Sequence, residues 1–192
     1  VLAQHIEVLD RETDDSWLSL EYIEEIYEES EAQRKATIDK ILGELANEEE
    51  EIPGERISMI NRIMRMGIKD RVRLGQKGDR EARNILIRDP NKLVSSAVIN
   101  NPRITEQEVE MIAAMKSLAE DILRQIASNR QWARSYNVMH NLVRNPRTPI
   151  ANSMSIMSRL QLRDLTALQK NRNVSDAVRR HALRLLNARA GR

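Results

Sequence analysis

The chain has 192 residues, 41% hydrophobic and 31% charged, with a formal net charge of +2 at pH 7. It contains no Cys, which excludes disulfides, thiolate metal sites and cysteine nucleophiles and suits a reducing, cytoplasmic setting. Aromatic residues make up 3% and Phe is absent, so Leu, Ile, Val, Met and Ala must fill the core, a palette that suits packed helices better than a sheet.

The opening stretch from Val1 has no basic lead and only a short apolar run, so no signal peptide is expected. A first residue that is not Met suggests a processed chain or a fragment. No apolar run approaches membrane-spanning length, so no span is expected. Trp17, Leu20, Ile23 and Tyr27 fall at helical spacing, as do Ile38, Ile41, Leu42 and Leu45. This predicts two amphipathic helices with EESEAQRK, residues 28–35, as their join. EEEEIPGE, residues 48–55, breaks the pattern with Pro53 and Gly54 and reads as a linker. Residues 1–56 carry 18 acidic and 5 basic side chains, and residues 57–192 carry 11 and 26. The sums, −13 and +15, divide the chain into an acidic helical appendage with its linker (1–52) and a basic domain (53–192). The apolar face of Trp17, Leu20, Ile23 and Tyr27 needs a cover: the basic domain, a second copy of the chain, or a partner.

After the linker, Ile57, Ile60, Ile63 and Met64 share one helical face. Gly67 and GQKGD (75–79) punctuate the run, and Asp79 is placed to cap the next helix. From here the chain repeats. Five joints look alike: RDPN (88–91), NNPR (100–103), SNRQ (128–131), RNPR (144–147) and KNRN (170–173). Their second letters are Asp89, Asn101, Asn129, Asn145 and Asn171, and alternate members lie 40, 44 and 42 residues apart. Between the joints, apolar residues recur at three and four: Leu93, Val94, Ala97 and Val98; Val109, Ile112 and Ala113; Leu118, Ile122 and Ile126; Trp132, Tyr136, Met139 and Val143; Ile150, Met154 and Met157; Leu162, Leu165 and Leu168; Val174, Val178, Ala182 and Leu185. The joints read as corners. Asn is expected to close a helix in the left-handed conformation, and Pro cannot continue it. Thr105 and Glu108 form a capping box, and Thr148 caps a helix whose first residue is Pro149.

LVRNPRTP, with LIRDPNKLVSSAVINNPRIT, resembles the leucine-rich repeat variant and, more broadly, HEAT-like repeats, including uncharacterised bacterial helical-repeat proteins. The likeness covers roughly residues 79–188 and implies a right-handed α-solenoid. Only Asn145 to Pro149 reproduces the full Asn-Pro-x-Thr-Pro corner, and joint spacing alternates (12, 28, 16, 26). Some members of the variant family hold an iron–sulfur cluster on cysteines, a role that a chain without Cys does not inherit. HEAT-like folds include DNA-repair glycosylases, but no catalytic acid can be placed here.

The residues give a surface rather than a reaction. His5, His140 and His181 lack metal-ligand spacing, and GQKGD lacks the Gly-Lys-Ser/Thr ending of a phosphate loop. The acid pairs of the first segment read as a solvated face. Arg103, Arg130, Arg147 and Arg172 each follow a joint, and stacked repeats would align them as a ladder along one edge. Arg180 and Arg184 add charge, with Arg88, Arg144, Lys170, Arg179 and Arg189 nearby. Such an edge suits an anionic partner, and Arg at corners also serves to bond helix-end carbonyls. Trp132 and Tyr136, four apart, either pack or stack on bases. The expectation is an all-α, non-enzymatic scaffold or adaptor, without cofactor or metal, that binds a protein partner. The alternative is a nucleic-acid-binding module using the same basic face.

Overall fold

In the computed structural model, residues 29–47 and 51–190 are described. The predicted helix carrying Trp17, Leu20, Ile23 and Tyr27 lies outside them, as does His5. Eleven α-helices and one 3-10 turn make up the described residues, with no strand among them, so the chain is all-α.

α1 spans Glu31–Ala46. Ser30 caps it: the Gln33 amide N–H donates to Ser30 Oγ (3.3 Å), and the Ser30 N–H donates to Gln33 Oε1 (2.8 Å). The predicted join EESEAQRK is therefore largely the first turn of a helix. A capping box followed by good helix formers outweighs the polarity that suggested a break. Thr37, Ile41 and Leu45 form the buried stripe of α1, one residue every turn. α2 spans Gly54–Met64 and starts inside the predicted linker, with Pro53 at its N-cap. Pro lacks an N–H, and the start of a helix is where none is needed. α2 buries Ile60, Ile63 and Met64, while Ile57 stays 36% exposed.

α3 (Ile68–Lys77), α4 (Arg80–Leu86) and α5 (Lys92–Ile99) follow. Asp79 caps α4 as expected, accepting from the Ala82 N–H at 2.9 Å. Gly75 is not punctuation but lies inside α3, where α5 crosses closely. A Cβ there would sit 3.2 Å from both Ala97 Cβ and the Val94 carbonyl oxygen. Gly78 closes α3, its N–H donating to the Leu74 carbonyl at 2.7 Å.

These helices belong to the first of two compact units, Val1–Ile104. Within it α1 packs on α2, α3 on α4 and α5, and α4 on α5. Charged pairs accompany the apolar contacts. Arg71, 1% exposed, donates from Nη1 to Asp89 Oδ2 (2.6 Å) and from Nη2 to Glu29. Arg88 Nε lies 3.6 Å from Glu44 of α1. Two carboxylates of the acidic stretch thus reach arginines from the following segment.

The second unit, Thr105–Arg192, holds α6 (Glu106–Ala114), α7 (Glu120–Ser128), the 3-10 turn Trp132–Arg134, α8 (Tyr136–Arg144), α9 (Ile150–Met157), α10 (Leu162–Lys170) and α11 (Asp176–Ala190). α6 packs on α8, α7 on α9, α9 on α11 and α10 on α11. The capping box at the start of α6 forms as expected: the Thr105 N–H donates to Glu108 Oε2 (2.9 Å), and the Glu108 N–H to Thr105 Oγ1 (3.3 Å). The second corner differs. Pro149 takes the N-cap of α9, and Thr148 turns back to donate to the Leu142 carbonyl of α8 (2.6 Å). α9 buries Ser153, Ile156 and Met157 rather than the predicted Ile150, Met154 and Met157, and Ile150 is 47% exposed. Leu162 is likewise 50% exposed, whereas Leu165 and Leu168 are buried. Trp132 and Tyr136 do not share a helix; Trp132 is buried in the 3-10 turn and Tyr136 opens α8.

Candidate interaction site

All five joints use one local device. The side-chain oxygen of the second residue accepts the backbone N–H two residues on: Asp89 from Asn91 (2.8 Å), Asn101 from Arg103 (2.8 Å), Asn129 from Gln131 (2.9 Å), Asn145 from Arg147 (3.0 Å) and Asn171 from Asn173 (2.9 Å). This is an Asx turn, which reverses the chain without a left-handed residue. Among the described residues no non-glycine residue has positive φ, so the expected left-handed closure is not the reason for Asn here.

The other half of the amide explains why Asn is preferred at two of the joints. Asn101 Nδ2 donates to the carbonyls of Gly75 (2.9 Å) and Gly78 (3.3 Å) at the end of α3. Asn145 Nδ2 donates to those of Ala113 (2.9 Å) and Met115 (2.8 Å) at the end of α6. Both side chains are buried, and each ties its corner to orphan carbonyls at the end of a helix 23–32 residues earlier. At the first joint a carboxylate replaces the amide, and its second oxygen takes Arg71 instead.

The rigid corners present arginine. Arg103 and Arg147 have their backbone N–H groups held by the Asx turns, and Arg130 and Arg172 directly follow the joint asparagines. Arg103, Arg130, Arg147, Arg172, Arg180 and Arg184 are all exposed. Arg103 belongs to the first unit and the others to the second. Arg184 Nη2 approaches His181 Nδ1 at 3.3 Å. Three cations expected to add to this charge are engaged elsewhere. Arg88 is buried and bonds the Asn84 carbonyl, Arg179 pairs with Asp176, and Arg189 donates to the carbonyls of Leu160 (2.6 Å) and Ser158. By contrast, Lys116, Arg130, Arg134, Arg144, Arg147, Arg159, Lys170, Arg172, Arg180 and Arg184 are exposed and have no ion pair among the described residues.

A cavity of about 220 Å³ opens where α6, α8 and α10 end. Lys116, Asn141, Arg144, Asn145, Asn171 and Asn173 line it. Asn145 is saturated by the bonds already given, and Asn141 Nδ2 donates to the Glu110 carbonyl (3.0 Å). Asn171 uses only its oxygen, so its Nδ2 is an open donor, and the Asn173 side chain has no partner among the described residues. Of these six, only Arg144 stood among the charges anticipated from sequence, and not as part of a pocket. The available signal was the amide density at two chain positions, Asn141 with Asn145 and Asn171 with Asn173; what brings them together is helix packing.

A polar cluster joins α8 to α10. The Tyr136 hydroxyl donates to Asp164 and accepts the Gln161 N–H (3.0 Å). The Tyr136 and His140 rings stack with centroids 6.3 Å apart, and His140 Nε2 lies 3.9 Å from Asp164. Burial holds the His140 imidazolium below the ordinary 6.5, against the opposing pull of Asp164. Burial, then the bond to Asp164, pushes the Tyr136 phenol above 10. The Trp132 indole is buried, and one face of the Tyr136 ring is stacked on His140. Among the described residues no group of His, Cys, Asp and Glu is placed to hold a metal ion. No helix among them is long and apolar enough to cross a membrane. Compared with models of known protein families, with curated protein sequences and with solved structures, the chain matches none of them.

Proposed function

We propose that the chain is a non-enzymatic, cytoplasmic scaffold or adaptor whose second unit docks an acidic face of a protein partner. The helices of each unit stack, in this reading, as turns of a right-handed α-solenoid related to the leucine-rich repeat variant and HEAT-like repeats. The packing of helices on their next-but-one neighbours (α3 on α5, α6 on α8, α7 on α9, α9 on α11) and the recurring Asx corners support it.

The observation that carries the functional reading is the set of ten exposed cations in the second unit without an ion pair among the described residues. Residues 105–192 carry 15 basic and 7 acidic side chains, so this unit presents a positive field that its own carboxylates do not cancel. Helix-end cations have a structural use, but Arg130, Arg147 and Arg172 follow their helices and stand on turns whose hydrogen bonds are made by Asn. Among the described residues the two aromatic side chains, Trp132 and Tyr136, are buried and stacked on His140 respectively, which favours a protein partner over single-stranded nucleic acid.

Changing Arg130, Arg147 and Arg172 to Glu tests this. Binding to an acidic partner protein is lost while helical circular dichroism is kept; loss of the helical signal would assign the three residues to structure. The wild-type chain is also titrated with duplex DNA at two salt concentrations. DNA affinity above that for acidic protein, with a steep salt slope, would replace the adaptor reading by nucleic-acid binding.

A further inference from the structure

We propose that the cavity at the ends of α6, α8 and α10 seats a carboxylate of the acidic partner, an Asp or Glu side chain or a chain terminus. The inference rests on the adaptor reading and adds a specific anchor to it.

Four groups with open donors converge there. Lys116 and Arg144 have no ion pair among the described residues, Asn171 Nδ2 has no acceptor, and the Asn173 amide is unpartnered. At Asn101 and Asn145 the same amide nitrogen is taken by two carbonyls each, whereas at Asn129 and Asn171 it has no acceptor among the described residues, and of these two Asn171 lines the cavity. Of the three helix ends there, that of α6 is covered: Asn145 holds the carbonyls of Ala113 and Met115, and Asn141 holds that of Glu110.

Size and charge narrow the ligand. A cavity of about 220 Å³ is smaller than the pockets that enclose whole small molecules, but accepts one acidic side chain. Two full cations face three helix C-termini, each equivalent to roughly half a negative charge. The balance is weakly positive, which favours a monoanion over a phosphate dianion. A planar carboxylate also matches the fork of Arg144 and two amide donors better than a tetrahedral group does.

The test uses the full chain and a fluorescein-labelled octaglutamate peptide, read by anisotropy. Lys116→Gln/Arg144→Gln is compared with Arg147→Gln/Arg172→Gln, which removes the same charge elsewhere. Asn173→Ala removes a donor without changing charge, and all these side chains are exposed, so the fold is kept. The cavity pair is expected to weaken binding about tenfold, the corner pair about threefold or less, and Asn173→Ala about threefold. Equal losses from the two pairs, with Asn173→Ala at the wild-type value, would overturn the anchor and leave the adaptor reading standing. No saturable binding by the wild-type chain would overturn both. In competition, acetate is expected to displace the peptide at lower concentration than inorganic phosphate; the reverse order would overturn the carboxylate assignment.

Discussion

Asp89 is the one joint residue of the five that is not Asn, and replacing it by Asn gives a prediction with a definite pH signature. Burial pushes the Asp89 carboxyl from 3.8 up to about 6, more than the neighbouring Arg71 can offset, and Glu29 adds to the rise. The folded state therefore holds this proton more tightly than the unfolded chain. The stability it contributes is fully present below pH 3.8 and is lost as pH rises towards about 6. That loss is on the order of 3 kcal/mol. Asn cannot ionise, so Asp89→Asn removes this penalty above pH 6. It also has a cost. Oδ1 still accepts the Asn91 N–H, but the new NH2 group faces the Arg71 Nη1 donor that now lies 2.6 Å from Oδ2. An unmade buried hydrogen bond costs about 1–3 kcal/mol. The two effects nearly cancel at pH 7.5, where the variant is expected within about 2 kcal/mol of wild type. Near pH 4.5 only about a third of that loss has accrued, so the cost dominates and the variant falls below wild type by up to about 2 kcal/mol. Arg71→Met/Asp89→Asn, which also removes the buried cation, is expected to be at least as stable as wild type at pH 7.5. Arg71→Met alone leaves a buried carboxylate without its cation and destabilises. Urea unfolding followed by far-UV circular dichroism at pH 4.5, 6 and 7.5 measures all four proteins. Parallel pH dependence of wild type and Asp89→Asn, or a gap that widens as pH rises, would refute the reasoning.

Three further predictions follow from packing and polar contacts. Asn145→Ala removes the Asx turn and two bonds to the end of α6, and should cost about 2–4 kcal/mol, whereas Asn129→Ala, at a joint without the second tie, should cost about 1 kcal/mol; equal shifts in thermal midpoint would argue against the tie. Gly75→Ala should lose about 1–3 kcal/mol by forcing α3 from α5, while Gly43→Ala, with nothing within 4 Å of its Cβ in the middle of α1, should gain about 0.5–1 kcal/mol in the same denaturation assay. His140 resists protonation in the fold, so its contribution to stability declines as pH falls below 6.5, and Asp164→Asn should lower the imidazole pKa further in an NMR titration; an unchanged or raised value would exclude the Asp164 contact.

What could be read from residues alone was what local chemistry decides. The helical class follows from three-and-four apolar spacing and from a core palette without Phe. The caps at Asp79 and at Thr105 with Glu108 formed as read, because a cap is an interaction across three residues and needs no tertiary partner. The joints were equally legible as corners, but their reason was not. Asn101 and Asn145 reach carbonyls 23–32 residues upstream, and no local rule announces an acceptor that only helix packing supplies. Spacing likewise marked Ile150 and Leu162 as core, yet one face of a short helix is too brief to fix its own rotation, and the neighbouring helices turned both outward. Gly75 read as a break because glycine weakens an isolated helix, whereas the close approach of α5 requires the missing Cβ. The cavity is the extreme case: Lys116, Asn141, Arg144, Asn171 and Asn173 meet only because three helices end at one place, and convergence of chain ends is a property of packing rather than of any single segment.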